Sequence, residues 1–327
     1  MKVDRSSVTR ILVITLSNLG DVVLTTPVVN ALAREFPDAR IDIMVGPKGK
    51  EVFEADPRIA KVIVYDKHVP LIEKRRLSVK LKKLNYDLIA DLRNTIFPLL
   101  LGARYRTSTI QKFPPHIVHK RDCHLYRLSS FGIDGTQTPS SIVLTKEDEG
   151  FVELMLRFSH IEKPFVVVNP GAKSHLKRWM EEGFTAVCNR LIDECRVSVV
   201  VTGAGEDSEV ADRIIAGIKG KINNFVNRTS TRQLAALLKR SALLITNDSA
   251  PLHIACAVNT KTLALFGPTD LLKYGPTGET DVVICKKLHC SPCEKASCQY
   301  NHECMRLISP DEVFQAAREL LQGYEIT

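Results

Sequence analysis

Polar and charged residues directly follow several apolar runs of this chain, in positions where they can meet a ligand. The run ILVIT leads into SNLGDVVLTTP, which places the carboxylate of Asp21 in a turn beside Gly20. The run FVVVNPG leads into AKSHLKRW, where Lys173, Lys177 and Arg178 precede a helical pattern. Cations ahead of a helix N-terminus do not favour the helix dipole, so they indicate that an anion such as a phosphate also binds there.

Two further turns carry acids suited to sugar hydroxyl groups. VTGAGED offers glycines for a close backbone approach and then Glu206, and ITNDSAPLHIA ends a strand at Asp248. Backbone N–H groups at the helix opening near Ser249 suit a diphosphate, and Asp248 can accept hydrogen bonds from a sugar. Considered singly, Asp248 or Ser249 fits a helix N-cap and Glu206 a solvated first-turn acid. His253 alone fits a core histidine equally well.

The nucleotide-binding motifs of two other enzyme classes are missing from the sequence. No GxGxxG follows the first strand, which argues against a dinucleotide-dependent redox enzyme. No GxxxxGK[ST] is present, which argues against a P-loop nucleotidase.

Strand-like and helix-like patterns alternate along the chain and position these turns. In the first half, the runs RILVITL, RIDIMVG, KVIVYD and YDLIADL predict strands, and residues 22–35 and 72–84 predict helices. Residues 104–145 contain FPPH and DGTQTPSS and are predicted to be irregular. The alternation resumes with PFVVVN, VSVVVT, ALLITND and KTLALF. Continuous apolar strands are typical of a parallel sheet that is covered on both faces.

The chain is therefore predicted to be an α/β protein with two doubly wound domains. Its 327 residues exceed one ordinary core, and the boundary is expected between Thr145 and Lys163. A last helix, SPDEVFQAARELLQ, begins with a capping pattern at Ser309 and Pro310. Ligands of such sheets bind beyond the C-terminal strand ends, which is where the polar turns lie.

Composition and charge narrow the class of protein. The chain is 44% hydrophobic and 25% charged, as globular proteins are, and no apolar run approaches the ~20 residues of a membrane span. A cytoplasmic protein is therefore expected. The net charge of +8 is concentrated in residues 58–127, which hold 16 Lys and Arg against 5 Asp and Glu. This excess favours nucleic acid, anionic headgroups or a phosphorylated substrate, although a solvated basic helix explains residues 73–83 equally well.

Five of the nine cysteines lie within residues 285–304, which indicates a local site rather than a secreted disulfide framework. Cys290, Cys293, Cys298 and Cys304 follow the spacing C-x2-C-x4-C-x5-C. Four thiolates in one compact segment are what a tetrahedral structural zinc site needs, and such a metal would stabilise the segment without taking part in catalysis. The alternative is metal-free reduced thiols, or disulfides formed during purification.

The polar turns resemble, in order and spacing, the motifs of one known family. LGDVVLTTP, NPGA with KRW, GAGE, NDSAPLHIA and ALFGPTD are similar to those of glycosyltransferase family 9, the heptosyltransferases of the lipopolysaccharide inner core. The resemblance implies a GT-B fold, in which two Rossmann-like domains face a central cleft. It implies an acceptor domain at residues 1–155, a nucleotide-sugar domain at 156–308, and a final helix at 309–327 that crosses back to the first domain.

The resemblance also implies an inverting transfer that uses no catalytic metal and no cofactor. Asp21 matches the acid of the family's GD turn, the general base that takes the proton of the attacking acceptor hydroxyl. The alternative role, a cap of the following helix, leaves the other matching motifs unexplained. The acceptor side is expected to include the neighbouring glycine and the basic helix: Gly20, Arg75, Arg76, Lys82 and Lys83.

Donor-binding roles carry over from the family position by position. Lys177 is expected to neutralise the diphosphate, Glu206 to bind the ribose hydroxyls and Asp248 to bind the donor sugar. Ala250 stands where the family often has glycine, and Met180 where a proline is expected, which leaves the donor sugar open. The helix opening is expected to hold the diphosphate, with its histidine as a hydrogen-bond donor: Ser249, Ala250, Pro251, Leu252 and His253.

The implied donor is ADP-heptose, and the implied acceptor is an anionic lipopolysaccharide precursor, Kdo-lipid A or heptosyl-Kdo-lipid A. A peripheral protein on the cytoplasmic face of the inner membrane is expected. Nucleic acid is not an expected partner, because residues 58–127 lack the interleaved aromatics of a single-strand groove. A transferase of another nucleotide sugar and a nucleotide-sugar epimerase on the same fold remain alternatives.

Overall fold

Two units, each built around a parallel sheet, make up the protein. The computed structural model describes residues 3–108, 110–136 and 138–323. The chain divides into one compact unit spanning Met1–Val143 and another spanning Leu144–Thr327. Within the described ranges, no helix has both the length and the apolar character needed to cross a membrane.

The sheet of the first unit has five parallel strands in the order β3-β2-β1-β4-β5. This is the strand order of a Rossmann half, so the predicted doubly wound topology is confirmed. The strand at the centre, β1, pairs in register with β2 and β4, and its residues from Ile11 onward are buried. The strands are β1 (Arg10–Thr15), β2 (Arg40–Val45), β3 (Ile59–Val64), β4 (Leu88–Asp91) and β5 (Tyr105–Arg106).

Helices surround this sheet, and they correct the sequence prediction in two places. The single helix expected at residues 22–35 is two helices, because the chain turns at Thr25, whose hydroxyl donates to Val22 O at 2.6 Å. Residues 104–145 are not wholly irregular, since they contain β5, a helix at Lys120–Tyr126 and a 3-10 turn at Arg127–Phe131. The helices are α1 (Leu19–Val23), α2 (Thr26–Glu35), α3 (Lys50–Phe53), α4 (Leu71–Lys82), α5 (Phe97–Leu101) and α6 (Lys120–Tyr126).

The sheet of the second unit has six parallel strands in the order β11-β10-β9-β6-β7-β8. The first three strands in the chain, β6 to β8, lie on one side of the sheet and the last three on the other. The order therefore reverses where β6 pairs with β9. This switch point is where open α/β sheets bind ligands. The strands are β6 (Phe165–Asn169), β7 (Ser198–Val201), β8 (Ile222–Asn224), β9 (Leu243–Asn247), β10 (Thr262–Phe266) and β11 (Val282–Cys285).

The helices of the second unit begin before its first strand. They are α7 (Lys146–Phe158), α8 (Glu181–Cys195), α9 (Ser208–Ala216), α10 (Thr231–Arg240), α11 (Ala250–Ala257), α12 (Leu271–Tyr274), α13 (Glu303–Arg306) and α14 (Pro310–Leu321).

The division between the units falls after Val143 and precedes α7. The sequence analysis expected the boundary between Thr145 and Lys163, with a domain limit after residue 155. Ion pairs attach α7 to α10 of the second unit: Asp148 lies 2.8 Å from Arg232, and Glu149 lies 3.1 Å from Lys239. Asp148 also forms a capping box with Thr145, so the start of this helix is well defined.

The last helix, α14, has the predicted capping box, in which the Ser309 hydroxyl accepts from the Glu312 amide and the Glu312 carboxylate accepts from the Ser309 amide. Its apolar face, including Val313 and Phe314, is buried against α8 and beside β9 and β10. The predicted crossing of this segment to the first domain stays a prediction, and its last four residues, 324–327, lie outside the described range.

Candidate functional site

The turns after β6 and β9 are tied together at the switch point of the second sheet. The side-chain amide of Asn247, the last residue of β9, donates to Pro170 O at 2.8 Å. Its oxygen accepts from the Trp179 backbone amide at 3.0 Å. The indole of Trp179 in turn donates to Ile308 O at 3.0 Å. This network fixes the segment that carries the predicted phosphate-binding lysine.

Lys177 and Asp248, predicted separately from two motifs, form an ion pair. Lys177 Nζ lies 2.6 Å from Asp248 Oδ2. The Asp248 residue is 6% exposed, whereas the Lys177 side chain is 33% exposed. The switch point of the second sheet therefore presents two groups. The accessible ammonium of Lys177 suits an anion, and the enclosed carboxylate of Asp248 suits hydrogen-bond donors.

The turn after β7 lies beside the turn after β6. A Cβ on Gly171 would lie 2.3 Å from Asp207 Cγ, and a Cβ on Gly203 would lie 2.9 Å from Asp207 Cβ. These glycines therefore make room for a buried aspartate, whose Oδ2 accepts from the Ala204 amide at 3.0 Å. The sequence analysis explained the glycines of VTGAGED by ligand approach and overlooked Asp207. Glu206, the predicted ribose ligand, lies exposed in the 3-10 turn Gly205–Asp207.

The predicted diphosphate-binding segment forms the start of α11. Ser249 occupies the N-cap position, but within the described chain its hydroxyl caps no amide and lies 3.3 Å from the Thr246 hydroxyl. Pro251 has no N–H to offer, so the amides available at this opening come from its neighbours, including Ala250. The Leu252 side chain is fully buried in a cluster with Ala264 and Phe266, so only its backbone can reach a ligand. His253 is 6% exposed.

Asp21, the predicted base, lies in the first turn of α1 next to Gly20, rather than in the turn before a helix. The Ser17 hydroxyl donates to Asp21 Oδ2 at 2.6 Å, so one carboxylate oxygen has a fixed partner. The residue is half-buried beyond the end of β1. A partly enclosed carboxylate at a strand end has the access that a general base requires.

His124, on α6, is an electrostatic neighbour of Asp21 that the sequence analysis overlooked. Burial lowers the pKa of His124 to about 3; Asp21 opposes this shift, and the nearby Arg127, Arg93 and Lys120 add to it. His124 therefore lies near both Asp21 and a group of cations. Lys120, His124 and Arg127 were missed because they lie in residues 104–145, which were expected to be irregular.

The loop after β4 is held next to this group by a buried acid. Asp91 accepts from the Arg93 amide at 2.8 Å and from the Thr95 hydroxyl at 2.8 Å. Burial raises the pKa of Asp91 despite these hydrogen bonds. Arg127, which is 7% exposed, donates to Asn94 Oδ1 at 2.8 Å. The buried guanidinium of Arg127 is thus positioned at the loop that follows β4.

The four predicted basic residues of the acceptor side lie at different places along α4. This helix connects the parallel strands β3 and β4, so it begins at the C-terminal edge of the sheet and ends at the opposite edge. Arg75 and Arg76 are exposed in its first half, and Lys82 and Lys83 are exposed at its end. The structure therefore does not bring Lys82 and Lys83 to the strand ends where Asp21 lies.

The four cysteines of the C-x2-C-x4-C-x5-C motif are free thiols that line one cavity of the second unit. In the described ranges, no three His, Cys, Asp or Glu side chains are already gathered as a metal site.

Two Rossmann-ordered parallel sheets define an α/β protein of the GT-B fold. The sequence profile of glycosyltransferase family 9 (heptosyltransferase) matches residues 91–303, more than half of the chain. The chain therefore belongs to glycosyltransferase family 9 and is a glycosyltransferase, as the sequence motifs predicted.

Known members of this family match the chain over most of its length. Lipopolysaccharide heptosyltransferase 3 of Escherichia coli K12 is 26% identical and aligns with 92% of this chain and 95% of its own. A solved family 9 glycosyltransferase from Veillonella parvula superposes with a TM-score of 0.84 at 23% identity, covering 96% of this chain and 97% of that one. The ADP-heptose lipopolysaccharide heptosyltransferase II of E. coli superposes with a TM-score of 0.77 at 21% identity, covering 96% and 98%.

Proposed function

We propose that this glycosyltransferase moves a heptose from ADP-heptose to an anionic acceptor of the lipopolysaccharide inner core, with inversion at the sugar carbon. The observation that carries the proposal is the pair of Lys177 and Asp248 at the switch point of the second sheet, with Nζ and Oδ2 2.6 Å apart. One group suits a diphosphate and the other suits a sugar hydroxyl. The relative from E. coli named for ADP-heptose supports the choice of donor.

Asp21 is the general base of the proposed reaction. The acceptor oxygen attacks the anomeric carbon and its proton passes to the Asp21 carboxylate. Ser17 holds Oδ2, so we assign the acceptor proton to Oδ1. As the new carbon–oxygen bond forms, the bond from the sugar to the diphosphate breaks, and ADP leaves. A single displacement of this kind inverts the anomeric configuration.

Protein groups supply the positive charge that the leaving diphosphate needs. Lys177 provides a formal charge, and the opening of α11 at Ser249 and Ala250 provides backbone dipoles. Glu206 is assigned to the ribose and Asp248 to the sugar. We propose that these protein groups are sufficient for the transfer and that no catalytic metal takes part.

A transfer assay with purified protein tests this function. ADP-heptose and a heptose-free core acceptor are incubated with the enzyme, and the product anomer is determined by NMR. Asp21→Ala should lower the transfer rate by ~10²–10⁴-fold, because it removes the base. Its affinity for ADP should stay the same. The exposed acid Asp38 offers the matched control, Asp38→Ala.

Three results would count against the proposal. Normal turnover of Asp21→Ala at saturating acceptor would exclude this base. A retained anomeric configuration would exclude a single displacement. An epimerised donor without transfer would favour a nucleotide-sugar epimerase instead.

We further propose that the first unit contacts the anionic cytoplasmic face of a membrane through the start of α4 and through α5, which α4 contacts. Large apolar side chains are exposed there: Leu71 is 81% exposed, Ile96 65% and Leu99 58%. Arg75 and Arg76 lie in the same half of α4. Exposed apolar side chains beside cations are typical of a surface that rests on anionic lipid headgroups.

Two double variants separate this surface from a merely basic helix. Arg75→Gln with Arg76→Gln should weaken sedimentation with anionic vesicles, by ~1 kcal/mol for each charge removed near the surface. Lys82→Gln with Lys83→Gln, at the far end of α4, removes the same charge and should have less effect. Equal losses of vesicle binding by the two double variants would show that binding depends only on net charge. If the parent protein did not bind vesicles, α4 would be only a solvated basic helix.

A further inference from the structure

The segment between β11 and α13, residues 286–302, has neither helix nor strand and is largely exposed. Long irregular segments of this kind are uncommon in compact domains without a specific role. Few apolar side chains are enclosed within it. Instead, a cavity lies beside the segment. All four cysteines of the C-x2-C-x4-C-x5-C motif line this cavity: Cys290, Cys293, Cys298 and Cys304. All four are free thiols.

Backbone amides are directed at one of these sulfurs. The amides of Tyr300 and His302 both donate to Cys298 Sγ at 3.4 Å. Two amide hydrogen bonds hold this sulfur in one position at the cavity. Such hydrogen bonds are the outer partners by which proteins orient metal ligands.

The first two cysteines are anchored through a turn of their own. The amides of Cys293 and Glu294 both donate to Pro268 O, at 3.0 and 2.9 Å. The Ser291 hydroxyl donates to Gly267 O at 2.5 Å. Cys304 is buried at the start of α13, on the far side of the segment in sequence. Cysteines from both ends of the segment are thus held at one cavity by the contacts of this turn and by the start of α13, in addition to the amide hydrogen bonds to Cys298 Sγ.

We propose that Cys290, Cys293, Cys298 and Cys304 bind one thiophilic divalent cation, zinc or ferrous iron, as a tetrahedral thiolate site. Each cysteine gives up its proton when it binds the metal, and the sulfurs close around the cavity from their separated positions. Because four protein sulfurs complete a tetrahedron, the site has a structural role and leaves no position for a substrate.

The site adjoins the turn that carries the phosphate-binding lysine. Leu176 and Pro268 line the same cavity, and Leu176 directly precedes Lys177. The rings of His175 and His302 lie 5.7 Å apart, so the cysteine segment also packs against that turn through His302. Metal binding therefore stabilises the position of Lys177. This last step rests on the proposed function, whereas the metal site itself does not.

The test begins with untagged protein purified without oxygen, in which metals are measured by mass spectrometry. About one zinc or iron per chain is expected. The double variant Cys293→Ser/Cys298→Ser should lose it, whereas Cys123→Ser, a half-buried cysteine of the first unit, should keep it. Loading wild-type protein with Co²⁺ should produce thiolate charge-transfer and tetrahedral ligand-field bands. This measurement needs no variant and remains available if the serine variant does not fold.

The chelated protein should melt at a lower temperature than the metal-loaded protein and should bind ADP more weakly. A fall in stability without a change in ADP affinity would overturn the link to Lys177 and leave the metal site intact. A metal-free protein whose four thiols react freely in the folded state, and which gives no Co²⁺ bands, would overturn the site. Disulfides within the motif in protein kept from oxygen would overturn it as well.

Discussion

Replacing Lys177 by alanine separates the two roles that the structure gives to this residue. Its ammonium lies 2.6 Å from the enclosed carboxylate of Asp248, and its side chain is 33% exposed. The substitution therefore removes the partner of a buried acid and also removes the cation that we assign to the diphosphate. One effect appears without ligand and the other only when ADP is present.

The effect on stability follows from the burial of the pair. Removing one partner of a fully buried ion pair costs ~3–5 kcal/mol, because the other charge stays behind in a poor environment. A fully exposed pair contributes only ~0–1 kcal/mol. Asp248 is 6% exposed, but water reaches Lys177, so we expect Lys177→Ala to lower the free energy of unfolding by about 1–2 kcal/mol, between these limits.

The effect on ADP binding follows from the charge of the phosphate. A hydrogen bond to a charged group contributes ~1.5–3 kcal/mol, and ~1.4 kcal/mol corresponds to a tenfold change in Kd. Lys177 is already paired with Asp248 before ADP binds, so part of its charge is neutralised in advance. We therefore expect the lower end of this range, about a tenfold weaker Kd.

Calorimetric titration with ADP and thermal melting of the same samples measure both effects. Lys219→Ala removes an exposed lysine of the same unit and controls for net charge. The reasoning would be refuted if Lys177→Ala lowered the melting temperature but bound ADP as tightly as the parent protein. Lys177 would then serve only to neutralise Asp248.

Two further predictions concern the positions of buried groups. Gly171→Ala places a Cβ 2.3 Å from Asp207 Cγ and should cost about 1–3 kcal/mol in denaturant unfolding, whereas Gly150→Ala, where a Cβ meets open space among the described residues, should be neutral or stabilising. His124 has a pKa of about 3 in the folded protein and ~6.5 when unfolded, so the unfolded chain binds more protons between these values. Stability should therefore fall as the pH is lowered through this window, by up to ~1.4 kcal/mol per unit, and His124→Leu should show a shallower fall in melting experiments at pH 7 and pH 5.

The central strands could be predicted from the sequence because each is a continuous apolar run. β1, β6 and β9 lie in the middle of their sheets and are buried along almost their whole length. β8 was missed because it is an edge strand with the polar sequence INN, in which all three residues are only half-buried. β5 pairs through two residues, too few to give a period. A strand that is buried along almost its whole length therefore leaves a clear signal in the sequence, whereas a short polar edge strand does not.

The site residues at strand ends could be predicted because parallel topology brings those ends to one edge. The contacts between these residues could not be predicted, since the contacts depend on the path of each turn. Lys177 and Asp248 are 71 positions apart, and the hydrogen bonds of Asn247 help to hold the turn after β6 where the ion pair forms. His124 gave no signal, because a histidine in a segment without periodicity looks the same whether it is buried or exposed.

The pairing of Lys177 with Asp248 also bears on how the proposed donor is recognised. An enclosed carboxylate needs hydrogen-bond donors, so Lys177 cannot turn wholly to a diphosphate unless Asp248 gains other partners. On the proposed roles, the hydroxyl groups of the donor sugar provide them, and the lysine is released to the phosphate in the same event. ADP without its sugar brings the anion but not the hydroxyl groups, so it satisfies only one member of the pair. The intact donor should therefore bind more tightly than the ADP product, and the loss of the sugar during transfer should itself favour release of ADP.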